Sequence, residues 1–283
     1  MKQKFYSFIE FYGFSKMVYI MKEFFGFGGY TREPEGFMSW QHLLFVTTLM
    51  IIMILSAVYL GLKNKNKELT QKNKVIMWAA ILIDGFELFK ILIFSLRGKD
   101  PMAFIYELPL FLCSIQLITI PLSAFSKGRL KEAALDFVFI FGVLGAVFGT
   151  YGAGQNYNCY PVISFDNVIS GVTHSISGFT ALYIGITGMT SMKKENVWIS
   201  YLILCGFCIA AYIANITLDY NYMFLMRGDG TPYDLFYNLV NGNKVLYPLI
   251  VVLLFLFYIS GFYYVYFLIK QKKLKKVSAI CIS

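Results

Sequence analysis

Charge and histidine are what this chain has least of. Asp, Glu, Lys and Arg make up 14% of its 283 residues, and histidine occurs twice. A soluble globular domain carries about a quarter of its residues charged, so this composition excludes one. His42 and His174 stand far apart, and the five cysteines have no ligand spacing, which excludes a zinc site; no metal or cofactor is expected. Phosphate loops and dinucleotide fingerprints are missing as well. Cysteine is too scattered for a disulfide framework: Cys113, Cys205 and Cys208 fall in apolar segments, Cys159 stands alone in a connection and Cys281 lies near the C-terminus. Cys205-Gly-Phe-Cys208 has redox-motif spacing, but its apolar helical setting makes these small packing residues. The last apolar segment has no lysine, so it cannot carry a retinal-type Schiff base.

Hydrocarbon side chains fill the space. Apolar residues are 58% of the chain and aromatics 18%, and the mean hydropathy is +0.61. Seven segments, at 40–62, 75–96, 107–125, 133–152, 167–191, 197–218 and 245–269, are long and apolar enough to cross a bilayer as helices. Open strands are excluded because lipid offers their amides no partner. The expected fold is an all-α membrane protein with seven transmembrane helices. Residues 1–39 form an interfacial N-terminal segment, 40–269 the helical domain and 270–283 a basic cytoplasmic tail. In 1–39 aromatics alternate with charges, as in an amphipathic helix lying on a membrane, and no uninterrupted apolar core marks a signal peptide.

The net charge of +9 suggests nucleic acid until it is mapped. Five lysines fall in 63–74, three basic residues in 127–131, two in 193–194 and five in 270–276. The alternate connections hold only Arg97, Lys99, Arg227 and Lys244. By the positive-inside rule the C-terminus is cytoplasmic and the N-terminus external. The charge is therefore a topology signal with some attraction for anionic lipid, and no nucleic-acid partner is expected. A multi-pass protein of the cell membrane, surrounded by phospholipid, follows; the pattern does not set an oligomeric state.

Polar groups inside such a bundle carry the functional signal. Cys113 and His174 enter their segments from the same side, about 9 and 10 Å deep at the helical rise, and so lie nearly level. Gly171, His174, Gly178 and Gly185 share one helix face, and Gly142, Gly145, Gly149 and Gly152 form a similar stripe in the preceding segment. Small residues let membrane helices approach, so both stripes should face protein and His174 should point into the bundle. A histidine beside a cysteine can take its proton and form a thiolate able to attack an ester. A carboxylate such as Glu87 or Glu107 would orient the imidazole. Gln116 follows Cys113 by about one turn, within hydrogen-bonding reach of the same site. Asp84, Glu87 and Lys90 recur along one side of the second segment, as an internal salt bridge or an ion path. His42 opens the first segment at the interface, where it contacts a head group or caps the helix.

LPLFLC ending at Cys113, SWQHL around His42, His174 in the fifth segment and NYMFLM starting at Asn221 together resemble the YwaF-type bacterial integral membrane proteins, over roughly residues 37–268. These in turn are similar to a eukaryotic transmembrane cysteine acyltransferase of ether-phospholipid remodelling. The resemblance implies a seven-helix phospholipid acyltransferase or transacylase with Cys113 as nucleophile and His174 as base. His42, Glu87, Gln116 and Asn221 are then supporting or substrate-contacting residues. Phe111 departs from the pattern, standing where relatives often carry a polar residue. The competing reading is a noncatalytic transporter or ligand-binding protein using the same polar interior. The lack of an inverted repeat speaks against transport, and no coupling surface marks a receptor.

Overall fold

The structure is a computed structural model that describes residues 17–98 and 103–280. All regular secondary structure among these residues is helical. Helix α1 comprises residues 17–25. It is followed by α2 (Trp40–Asn64), α3 (Leu69–Gly98), α4 (Gln116–Phe125), α5 (Gly128–Tyr151) and α6 (Gly154–Cys159). Then come α7 (Phe165–Thr187), α8 (Lys194–Leu218), α9 (Asp234–Leu239) and α10 (Leu246–Ile280), with 3-10 turns at Ala103–Glu107 and Tyr222–Phe224.

Local chemistry sets the boundaries. Ser39 and Ser164 accept the amides of His42 and Asn167 and so cap α2 and α7. Gly188 ends α7 in the left-handed conformation, at φ 68°. The third apolar segment, expected as one helix over 107–125, is broken. A 3-10 turn ends at Glu107, residues 108–115 run through bends and turns, and α4 begins only at Gln116. Pro109 explains the break, because it has no amide to donate and keeps Leu108 out of the α region. At the other end of the chain α10 continues through the basic tail to Ile280, and Cys281 lies outside the described residues.

Four helical stretches are long and apolar enough to cross a membrane: Trp40–Asn64, Gly128–Cys159, Lys194–Leu218 and Leu246–Lys272. Their outward side chains are apolar, with Leu55 63%, Trp198 71% and Phe257 77% exposed, the inverse of a water-soluble bundle. The stretch containing α5 is different: 67% of its 18-residue apolar window is buried inside the protein against 22% in each of the other three. Helix α5 is the central post and packs on α4, α7 and α8. Helix α7 also lies inside, between α5, α2 and α3. It is less apolar because its neighbours are protein; buried Thr173, Thr180 and Thr187 donate to carbonyls one turn back.

The two glycine stripes do face protein, but not only each other. A Cβ on Gly142 would strike Ser177 and Ala181 of α7, whereas one on Gly171 would strike Leu49 of α2. At the end bearing the basic loops, buried Asp136 of α5 gathers the α7–α8 connection. It accepts from Thr190 Oγ1 (2.6 Å), the amides of Ser191 and Met192 (both 3.0 Å), Asn196 Nδ2 (3.1 Å) and Tyr263 Oη (3.1 Å).

Candidate functional site

The break before α4 carries Cys113 into the bundle, where a cavity of about 430 Å3 lies between α3, α7 and the 107–117 stretch. Cys113 and His174 both line it, together with Glu87, Lys90 and Glu107. Helix α5 seats the first two side chains on successive glycines. A Cβ on Gly145 would rest 3.7 Å from Cys113 Cα and Cβ, in ordinary contact. A Cβ on Gly149, one turn on, would fall 1.9 Å from His174 Cδ2 and 2.1 Å from Nε2. The imidazole therefore occupies the space that the missing side chain leaves.

The hydrogen bonds of His174 fix its tautomer. Nδ1 lies 2.8 Å from the carbonyl oxygen of Ser170, one turn back on α7, and can only donate to it. Nε2 then carries a lone pair, and among the described residues nothing is hydrogen-bonded to it. A backbone carbonyl thus does what a carboxylate does in a catalytic triad: it holds the ring and leaves the far nitrogen free to take a proton. The orienting group is not Glu87 or Glu107.

Cys113 is a free, partly buried thiol. No hydrogen bond joins it to His174. It occupies the turn leading into α4, where Ser114 Oγ accepts the Phe111 amide at 3.0 Å. Among the described residues the amides of Cys113 and Ser114 donate to no backbone carbonyl. Free amides at a helix start favour negative charge, so this turn is suited to a thiolate or an oxyanion beside it. The sequence does not reveal these unbonded amides, because they arise from the break in the segment.

Lys90 donates to Glu87 at 2.7 Å and to Glu107 at 2.6 Å, and all three side chains are mostly buried. Such a group inside a helical membrane protein is costly to keep unless its charges are paired, as they are here. The i, i+3 spacing of Glu87 and Lys90 is legible in the sequence; their junction with Glu107 requires the fold.

The remaining expected residues lie elsewhere. His42 is fully buried beneath Phe37 and Tyr157, with ring centroids at 5.5 and 3.9 Å. Its Nδ1 accepts the Met38 amide at 3.1 Å and its Nε2 faces the Thr150 carbonyl at 3.3 Å, so one nitrogen secures the entry to α2 and the other ties α2 to α5. Gln116 is buried, accepts from Thr119 through Oε1, and leaves Nε2 without a partner. Asn221 organises the loop after α8, donating to the Arg227 carbonyl at 2.8 Å and Asp229 at 2.7 Å and accepting the Met226 amide. None of these three lines the cavity. Residues not singled out from the sequence do: Ser170, Thr173, Tyr160 and Asp166, the last bound to Arg97 of α3.

A lipid-facing apolar exterior around a polar, partly enclosed cavity defines a multi-pass helical integral membrane protein. Residues 37–264 match the TMEM164 family, a family of membrane proteins, and the chain belongs to it. No curated protein and no solved structure matches the chain.

Proposed function

We propose that this protein is a cell-membrane phospholipid acyltransferase or transacylase in which Cys113 is the nucleophile and His174 the general base. The observation that carries the reading is the seating of both residues in one cavity, on successive glycine turns of α5. In the first half-reaction the thiol proton passes to His174 Nε2 and the sulfur attacks the ester carbonyl of a phospholipid. The amides of Cys113 and Ser114 receive the developing oxyanion. Collapse breaks the ester C–O bond, the departing lysophospholipid alkoxide takes the proton back from Nε2, and a thioester remains. In the second half the hydroxyl of an acceptor lysophospholipid gives its proton to Nε2 and attacks the thioester, and the thiolate leaves and recovers the proton. The reading requires the thiol to close on Nε2 once substrate is seated, a tightening common to catalytic hydrogen bonds. Glu87 acts through Lys90 as part of the polar wall, whereas His42, Gln116 and Asn221 support the scaffold.

The same proposal includes the topology: seven spans, an external N-terminus and a cytoplasmic C-terminus. Helices α3 and α7 are long enough to be spans, and Glu87 of α3 and Asn167, Thr173, Ser177 and Thr180 of α7 are buried in the protein. The buried Glu87–Lys90–Glu107 group favours a second reading, a noncatalytic ligand-binding or transport protein. Purified protein with labelled phospholipid separates the two. Acyl transfer should fall about 100-fold or more in both Cys113→Ala and His174→Ala. Transfer at the wild-type rate in both variants would overturn the assignment of these two residues, and no transfer by the wild-type protein would leave the binding reading.

A further inference from the structure

The polypeptide ahead of the family-matched region makes specific contacts with the far rim of the cavity. Residues 17–36 precede that region, and this stretch contacts α3, the start of α7 and the 153–163 connection at the end away from the basic loops. Tyr30 donates to Asp166 at the start of α7, and its ring meets that of Tyr160 at 5.8 Å. Arg97 at the end of α3 grips the same Asp166 through two bonds, at 2.6 and 2.8 Å, and also reaches Tyr30 Oη and the Phe25 carbonyl. Phe24 and Phe25 join Phe94 and Phe165 in one apolar cluster. Glu35 accepts the Val162 amide at 2.7 Å. Two of the residues touched, Tyr160 and Asp166, line the cavity itself.

These contacts combine the packing of Phe24 and Phe25 at the end of α1 with hydrogen bonds made by Tyr30 and Glu35 in the connecting stretch that follows it. Burial and then the adjoining Asp166 push the Tyr30 hydroxyl well above its ordinary range, so it remains a donor. The Asp166 hydrogen bonds, followed by its charge, raise the already high Arg97 value further, so the ion pair holds. A segment tied down in this way opens as a unit by local unfolding while the bundle stays folded. Releasing it would take the Tyr30 hydroxyl from Asp166 and the Glu35 carboxylate from the 153–163 connection, leaving Arg97 alone on Asp166.

We propose that residues 17–36 are a strap that controls access to the Cys113 cavity from this rim, with Tyr30, Asp166 and Arg97 as its latch. The strap is closed in the structure described here; its release admits bulky solutes and, where the cavity handles lipid, the substrate. The proposal concerns access and does not depend on acyl transfer.

The test is the alkylation rate of Cys113 by a sulfonated, membrane-impermeant maleimide. Full-length protein in lipid nanodiscs would be used, with Cys159→Ser and Cys281→Ser in every sample and modification read by peptide mass spectrometry. Tyr30→Phe keeps the ring and removes the donor, and Glu35→Gln loosens the strap away from the cavity wall. Each should raise the rate about tenfold, the scale of one lost hydrogen bond to a charged group. Asn64→Ala, which removes a bond to Tyr183 near the basic end, should leave it unchanged. Rates within twofold of wild type in both strap variants would overturn the proposal. An equal rise in Asn64→Ala, or a Cys113 that never reacts in any variant, would overturn it too.

Discussion

Adding one methyl group at Gly149 tests the site most directly. In Gly149→Ala the new carbon would lie 1.9 Å from His174 Cδ2 and 2.1 Å from Nε2. Carbon contacts settle near about 3.5 to 4 Å, so the ring must retreat by roughly 1.5 Å or α5 and α7 must part. The ring is not free to slide, because Nδ1 is tied to the Ser170 carbonyl at 2.8 Å. Overpacking of this kind costs about 1–3 kcal/mol, and replacing a helical glycine by alanine returns about 1 kcal/mol. The net loss of stability is then roughly 0–2 kcal/mol. Displacement of a reacting group by about 1 Å costs about 100-fold in rate, so activity should fall much further than stability. Gly145→Ala is the matched control: it has the same helix-propensity gain but a nearest contact of 3.7 Å, and it should keep activity within about threefold. Two measurements follow, labelled acyl transfer per folded protein and the nitrogen-15 ring spectrum. With two histidines the spectrum contains two ring patterns, and only that of His174 should change in Gly149→Ala. An unchanged His174 pattern with wild-type transfer in Gly149→Ala, or equal damage in Gly145→Ala, would refute the reasoning.

The two histidines should also carry opposite tautomers, Nε2–H in His42 and Nδ1–H in His174, because the first accepts an amide at Nδ1 and the second donates to a carbonyl there. The same tautomer in both ring patterns would contradict the geometry. His42→Ala should lower thermal stability by about 2–4 kcal/mol while leaving transfer per folded molecule near wild type, the reverse of His174→Ala. Asp136→Asn turns an amide toward a ring of donors and should cost about 3 kcal/mol in denaturation without a selective effect on rate. Lys90→Met leaves two buried carboxylates unpaired and should cost about 3–5 kcal/mol. Adding Glu87→Gln and Glu107→Gln should recover part of that loss; no recovery in thermal unfolding would show that the three do not act as one charge group.

Much of the architecture is legible in the chain because membrane helices announce themselves by length and hydrocarbon content. The apolar runs, the basic connections and the placing of His174 on a glycine-lined face all come from local pattern. The third segment shows the limit of that logic. Its hydropathy is that of a span, yet Pro109 interrupts it, and the interruption turns Cys113 from a residue within a helix into one at a helix start with free amides. His42 and His174 are equally rare and equally buried in apolar sequence, so pattern cannot rank them. Their hydrogen bonds can: both nitrogens of His42 are occupied, whereas one of His174 is open. Asn221 and Gln116 sit close in sequence to suggestive motifs, but their amides serve a loop and a helix turn.

The sequence by itself determined the class of this protein, a multi-pass helical membrane protein, because the transfer energy of long apolar runs and the pairing of backbone amides in lipid depend only on local composition. Only the tertiary structure decided which polar groups meet. Glu107 joins Glu87 through Lys90, Asp166 joins Arg97 and Tyr30, and Cys113 and His174 share one wall of α5. Contacts between residues tens of positions apart are set by how helices pack, and packing here turns on the absence of a side chain at Gly149. A glycine in a sequence does not say what will fill its space; the imidazole against Gly149 does.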